Sequence, residues 1–530
     1  MLLLQSYATT AEVINARDLL LIAPELILAV CACVALVMEV ILPYRRSKWI
    51  AYFALVSLLL AAVSLGVVWQ TNKDLLPVEG FYGMVRVDGF ALIFKAVFLL
   101  AAALSVLIST RYLDIEGEQH GEYYALVLFA TIGMMLLACG YDLIALYVSL
   151  ELMAVTFYVL VGFTKRERRA NEAAMKYFLL GAFSSGILLY GMSLLYGVAG
   201  STNLGDIAQS IGAIVITSPA AIANGGDVAS LIPLRPLLLL GMIALAAGLF
   251  FKISAVPFHM WAPDVYEGAP TSITAFLSTG SKLAGFALFA RIFNEALAGM
   301  RIDWSPLLGF VAAVTIFAGN LAALTQTNAK RLLAFSSISN AGYLLLGLIA
   351  GNSYGYTGLL IYALVYTLMN TGAFGVLIAL HRRGITGDRV DDLQGLAQKA
   401  PGVAAMMAIF VLSLGGLPLT GGFIGKYLLF GGLLQRGASE NRAWYYWLAG
   451  WAILNTIISF YYYVRFIRVM YLNEEIADAQ PLALSGALRT ALSLSTFGIL
   501  LIGIYPQPFI AAMQTLIAPL VAPLSSIAIR

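Results

Sequence analysis

The chain has 530 residues, 61% of them hydrophobic and only 11% charged, with a mean hydropathy of +0.88 and a formal net charge of +3. Soluble domains are about half apolar and about a quarter charged, so this composition excludes one and calls for a polytopic membrane protein. The small net charge is spread over many loops and offers no basic patch for nucleic acid.

The opening stretch, "MLLLQSYATTAEVINARDLLLIAPELILAV", lacks the basic leader and small-residue cleavage site of a signal peptide, so its apolar run is expected to be a retained span. A spanning helix needs about 20 mainly apolar residues. In chain order the candidates are 19–42, 49–70, 87–109, 122–140, 142–163, 173–198, 235–260, 271–295, 304–325, 330–350, 356–380, 402–434, 444–472 and 485–506. The expected fold class is therefore an all-α polytopic membrane protein with about 14 transmembrane helices. The tail from Pro508 to Arg530 is apolar but interrupted by Pro519 and Pro523, and has no assigned place. Cys31, Cys33 and Cys139 all fall in apolar runs and read as buried thiols, with neither a disulfide framework nor a metal site.

Loops after odd-numbered spans hold most of the basic residues, among them Arg45, Arg46, Lys48, Lys165, Arg166, Arg168, Arg169, Lys330, Arg331, Arg382 and Arg383. That bias places those loops on the cytoplasmic side and both termini on the periplasmic side. The seventh span is expected to break at Pro257, and the twelfth around Pro418, Gly421 and Gly422. Breaks at corresponding helices of two halves point to inverted repeats with discontinuous helices at a transport site. The expected organisation is an N-terminal three-helix segment (1–121), a first repeat (122–302), a second inverted repeat (303–473), and a last span with the hydrophobic tail (474–530).

Ionisable groups at bilayer depth cost about 2.5 kcal/mol or more, so each invites a functional reading. Lys95, Glu151, Lys176, Lys252, Lys282 and Lys426 stand out, and the excess of lysines suits protons better than divalent cations. Glu151 lies about 13 Å into its helix and reads as the acidic group at mid-depth, either a switching partner for a lysine or a permanent structural pair. Burial disfavours charged lysine and a nearby carboxylate favours it, so a changing Glu151 contact would change the proton affinity of Lys252. Lys252 reads alternatively as a cap on carbonyls freed by Pro257.

Lys282, on the next span, continues the line. Lys426, eight residues past Pro418, stands in the repeat-related place, either as a relay group or as a snorkelling lysine. Gly421, Gly422 and Gly425 leave room beside it for water or for close helix approach. Lys176 is an inlet-side relay residue or an ordinary snorkeller, and Lys95 falls within reach of an interface. His259 exchanges protons near neutral pH or is a hydrogen-bonded core residue. His381 ends a span beside Arg382 and Arg383, where a helix C-terminus favours positive charge.

No phosphate loop, dinucleotide fingerprint, CxxC cluster or catalytic triad occurs. The chain is expected to hold no cofactor and no metal of its own and to draw energy from an ion gradient or from other subunits. The segments "AAMKYFLLGAFSSGILLYGMSLLYG", "VPFHMWAPDVYEGAPTSITAFLSTGSK", "TQTNAKRLLAFSSISNAGYLLLGL" and "LSLGGLPLTGGFIGKYLLF" resemble the subunit N branch of the antiporter-like subunits of proton-pumping NADH:quinone oxidoreductase, respiratory complex I. The resemblance runs from about Leu92 to Met470.

It implies two inverted five-helix repeats, with Glu151 and Lys252 as a control pair, Lys282 linking half-channels and Lys426 on the outlet side. Lys176 also matches a lysine of the family motif. The resemblance further implies sister membrane subunits as partners in a bacterial inner membrane, with NADH, FMN, iron-sulfur clusters and quinone handled by other subunits. A Mrp-type sodium/proton antiporter subunit is the alternative, and an inert membrane scaffold the third reading.

Overall fold

The computed structural model describes residues 15–42, 48–223, 234–381, 387–473 and 484–527. Arg45, Arg46, Arg382 and Arg383, which helped to set the expected orientation, lie outside the described residues. After a short helical segment, Ala16–Leu21, come α1 (Ala23–Ile41), α2 (Lys48–Asn72), α3 (Gly89–Glu116), α4 (Gly121–Cys139), α5 (Leu143–Val161), α6 (Arg168–Ala199) and α7 (Leu204–Ala223). Next are α8 (Leu234–Ile253), the short α9 (Trp261–Gly268), α10 (Thr271–Ala296), α11 (Arg301–Leu324), α12 (Ala329–Ala350) and α13 (Ser353–Leu380). The chain closes with α14 (Pro401–Gly415), α15 (Gly421–Glu440), α16 (Trp444–Leu472), α17 (Gly486–Ile504) and α18 (Gln507–Ile527).

Among the described residues, twelve helices are long and apolar enough to cross a membrane. The expected list of fourteen also counted 402–434, which is the pair α14 and α15, and 444–472, which is α16. Helix ends follow local chemistry. Asp88, Asp142, Asn328 and Asn352 each accept a backbone N–H at the start of α3, α5, α12 and α13, the usual remedy for the orphan donors of a first turn. Gly117, Gly200 and Gly351 end α3, α6 and α12 in the left-handed conformation.

Burial divides the bundle. The apolar window of α10 is fully buried and those of α12 and α13 are 94% buried, whereas α1 reaches only 28%. The centre is thus built by α10, α12 and α13. Around it, α6 packs on α8, α11 on α12, and α13 on α15.

Several elements depart from the expectation. A two-stranded antiparallel hairpin, β1 (Val78–Gly80) and β2 (Val85–Val87), pairs Val78 with Val87 between α2 and α3. Helix α7 occupies a stretch to which no span was assigned, and the unassigned tail forms α18, packed on α3 and α13.

Both expected breaks are present. The first begins before the proline: α8 ends at Ile253, Ser254 takes a positive φ of 61°, and Pro257 follows. The second runs from Gly416 (φ 82°) through Leu419 (φ 71°) to Thr420. Helix α10 is continuous but contains two wide π turns, Leu277–Ser281 immediately before Lys282 and Arg291–Ala296 at its end.

Candidate functional site: a line of buried polar groups

Lys252 is the penultimate residue of α8 and is 3% exposed. Its ammonium does not cap the broken helix. The freed carbonyls find other donors: Ala255 N–H donates to Phe250 O at 2.8 Å, and the Trp261 indole Nε1–H donates to Phe251 O at 2.9 Å. Across the gap, Val256 N–H donates to Thr315 Oγ1 at 3.0 Å. Lys252 Nζ is left buried and without a hydrogen-bond partner, and so is Glu151 Oε1 on α5.

Residues seven apart share a helix face, and Tyr158, seven after Glu151, has its ring centroid 5.9 Å from Lys252 Nζ. Glu151 therefore lies on the face of α5 that Tyr158 turns to Lys252, but without the closed ion pair the sequence suggested. The Tyr158 hydroxyl, also buried without a partner, lies directly over Gly181 of α6, where a Cβ would come within 2.1 Å of Oη. Only glycine permits that approach.

From Tyr158 an aromatic wall runs inward. Tyr158 meets Tyr177 edge-on at 4.8 Å, Tyr177 stacks on Trp261 at 4.7 Å, and Tyr266 lies 5.9 Å from Lys282 Nζ. Lys282, 1% exposed, donates to the carbonyl of Ser337 at 3.0 Å and to its hydroxyl. The Tyr366 hydroxyl donates to Ser337 Oγ at 2.8 Å and receives Asn370 Nδ2, which also reaches Ser278 Oγ at 2.6 Å. Tyr362 stacks on Tyr366 and donates to Asn340 Oδ1 at 2.7 Å; Asn340 reaches Ser336 Oγ, which meets the Tyr463 hydroxyl at 2.5 Å. On the far side, Lys426 sits 4.5 Å from the Tyr343 ring, and Tyr343 accepts from Thr456 Oγ1 at 3.0 Å.

Lys426 is 2% exposed and is not snorkelling. It does what Lys252 does not: it donates to Leu414 O, in the last turn of α14, at 2.9 Å. Its glycines provide close approach. A Cβ on Gly422 would lie 1.9 Å from Ser413 O, and one on Gly425 would lie 2.5 Å from Tyr362.

Lys95 is fully buried and pairs with Glu25 of α1 at 2.7 Å. Lys176 is 44% exposed and binds Glu172 at 2.9 Å and Asp264 at 3.0 Å. With Arg169 and Glu267 they line a cavity of about 210 Å³. Against the desolvation of its carboxyl, the hydrogen bonds and charges of Lys176 and Arg331 hold Asp264 below the usual carboxylate range. His259 is half-buried on the turn between Pro257 and the 73%-exposed Met260, with Nδ1 unpartnered. It is joined neither to Lys252 nor to Lys282 by a hydrogen bond. His381 meets Glu116 at 2.5 Å.

Sequence reasoning missed the serines, asparagines and tyrosines between the lysines. The available signal was "SSISNAGY", which puts Ser336, Asn340 and Tyr343 at helical spacing on α12. It also missed Glu25 and a buried cluster in which Arg291 holds Asp88 (2.7 Å) and Glu295 (2.6 Å), with Arg86 on Glu295 at 3.2 Å.

Interrupted helices with a buried lysine beside each gap place this chain in the class of antiporter-like membrane proteins. Residues 140–451 match the family described as NADH:quinone oxidoreductase/Mrp antiporter, transmembrane. Over 94% of its length the chain is 48% identical to NADH-quinone oxidoreductase subunit N 2 of Solibacter usitatus (strain Ellin6076), spanning 98% of that protein. The chain belongs to the subunit N family of NADH-quinone oxidoreductase. A chain of respiratory complex I from Thermus thermophilus superposes with a TM-score of 0.74 at 32% identity, over 93% of this chain and 99% of that one. A chain of the Mrp complex from Dietzia sp. DQ12-45-1b gives 0.78 at 21% identity, over 95% and 98%, a likeness of fold alone.

Proposed function

We propose that the chain is a non-redox, proton-translocating membrane subunit of an NADH:quinone oxidoreductase, seated in a bacterial inner membrane beside sister membrane subunits, with both termini on the periplasmic side. NADH, FMN, iron-sulfur clusters and quinone belong to partner subunits in this reading. The two inverted repeats are residues 122–302 and 303–473, each containing one broken helix. The observation that carries the proposal is the run of buried polar groups from Glu151 and Lys252 through Lys282, Ser337, Tyr366 and Asn340 towards Lys426.

Glu151 and Lys252 are the control pair. Unit charges beyond ion-pair distance at an effective dielectric near 20 interact by up to about 4 kcal/mol, enough for a small shift of either side chain to redistribute a proton. Lys282 hands on through hydroxyls that both donate and accept, and Lys426 serves the outlet side. Lys176 is the inlet-side group, in a charged mouth with Asp264 and Glu267. His259 has the weakest connection to the line and stands as an accessory proton acceptor at the break. At 21% identity, the Mrp likeness adds no support for sodium exchange.

Glu151→Ala or Lys252→Ala, in complexes assembled to matched levels, should lower NADH-coupled proton pumping in proteoliposomes by about tenfold or more. Near-normal pumping by both variants would leave the lysines as structure and return the scaffold reading.

A further inference from the structure

A large cavity lies outside this line. A cleft of about 1050 Å³ opens between α2, α3 and α18, and its walls are leucine, isoleucine, alanine and glycine. That volume is at the upper end of the roughly 300–1,000 Å³ that clefts for drug-sized ligands occupy. On α3 the lining runs from Leu92 to Ala103, about 17 Å at the rise of an α-helix, close to half of a hydrocarbon core about 30 Å thick. The cleft is about as deep as one leaflet.

Its mouth is different. Where α2 ends, Trp69, Lys73 and Asp74 line the same cleft. Trp69 is 47% exposed, as tryptophans at a membrane interface are. Lys73 and Asp74 are exposed, and neither makes an ion pair among the described residues. An apolar slot one leaflet deep, closed at the interface by one free cation and one free carboxylate, matches a zwitterion with two tails.

We propose that this cleft is a binding site for a phospholipid with a primary-ammonium headgroup, phosphatidylethanolamine. Its acyl chains lie along α2 and α3, its phosphate meets Lys73 and its ammonium meets Asp74. An anionic lipid satisfies Lys73 but is repelled by Asp74. A spanning helix of a partner subunit is the competing occupant.

Gly66 gives the cleanest handle, because it lines the cleft and a Cβ there has no heavy atom within 4 Å. The first carbon of a Gly66→Phe side chain therefore starts in open space beside the slot. The whole purified complex would be exposed to phosphatidylethanolamine carrying a diazirine on one acyl chain, photolysed and mapped by peptide mass spectrometry. Phosphatidylglycerol with the same chain would be run in parallel. The expected result is labelling within 55–74 and 92–103 by the phosphatidylethanolamine probe, reduced about tenfold by Gly66→Phe, and moved towards the phosphatidylglycerol probe by Asp74→Lys by about fivefold or more. Should Gly66→Phe not assemble, the surface change Asp74→Lys carries the test alone. Equal labelling by both probes in the wild type, labelling indifferent to these substitutions, or a crosslink from Gly66→Cys to the helix of another subunit would each overturn the proposal.

Discussion

The two broken helices solve one problem in opposite ways. Each interrupts a helix beside a buried lysine and so frees carbonyls that the apolar interior must satisfy. At the first break, the Trp261 indole and the Ala255 amide take the carbonyls, and the Lys252 ammonium keeps no fixed partner. At the second, Lys426 is itself the donor to Leu414 O, under glycines whose backbones lie against Ser413 and Tyr362. A buried lysine near a break is thus free or committed depending on whether another N–H reaches the carbonyl first. A free ammonium can follow a moving carboxylate, while a committed one must break a hydrogen bond to release its charge.

That contrast can be broken most severely at Gly422. Because the obstacle to a Cβ there is backbone, Gly422→Ala should cost about 3 kcal/mol or more, seen as a large fall in assembled complex on native gels; normal assembly would show that the second break is loosely packed. Lys426→Met comes next. It leaves Leu414 O buried and unpaired, at about 1–3 kcal/mol, and should lower the thermal midpoint of the complex, whereas Lys252→Met loses no hydrogen bond and should leave it within experimental scatter. Equal midpoint shifts in the two variants would abolish the distinction.

Trp261→Phe sharpens the comparison from the other side. Removing the indole donor costs about 1 kcal/mol and leaves Phe251 O with the Ser254 N–H alone, its second lone pair open to Lys252, so the first break should come to resemble the second, with pumping reduced although Lys252 is intact. Unchanged pumping would mean that the freedom of Lys252 is irrelevant. The smallest effect is expected for Lys176→Ala, whose exposed pairs with Glu172 and Asp264 are screened by solvent. Pumping at 0.15 M salt should fall, but by much less than in Lys252→Ala because water also reaches this exposed mouth, and a loss as large as that of Lys252→Ala would move the control point to the inlet.

Much of this was legible in the chain. Proline and paired glycines announced both breaks, and lysines inside apolar runs announced themselves, because each is costly where it stands. The partners were not legible. Glu25 and Lys95 are 70 residues apart, and only the tertiary fold, with α1 and α3 both packed on α4, brings them to 2.7 Å. Ser337, Tyr366 and Asn340 are inexpensive in a helix and draw no notice until the packing of α12 on α13 gives them partners across the interface. The choice between free and capping lysine was also hidden, since it turned on an indole nine residues further along the chain from Lys252.

The wide turn Leu277–Ser281 sits directly before Lys282. A π turn takes in one residue beyond the α-helical count, and one residue is worth about 100° of rotation about the axis. The direction of Lys282 towards Ser337 is therefore a matter of phase, set by a single surplus residue in the preceding turn, and a helix of identical composition without that surplus would aim the same lysine at a different neighbour.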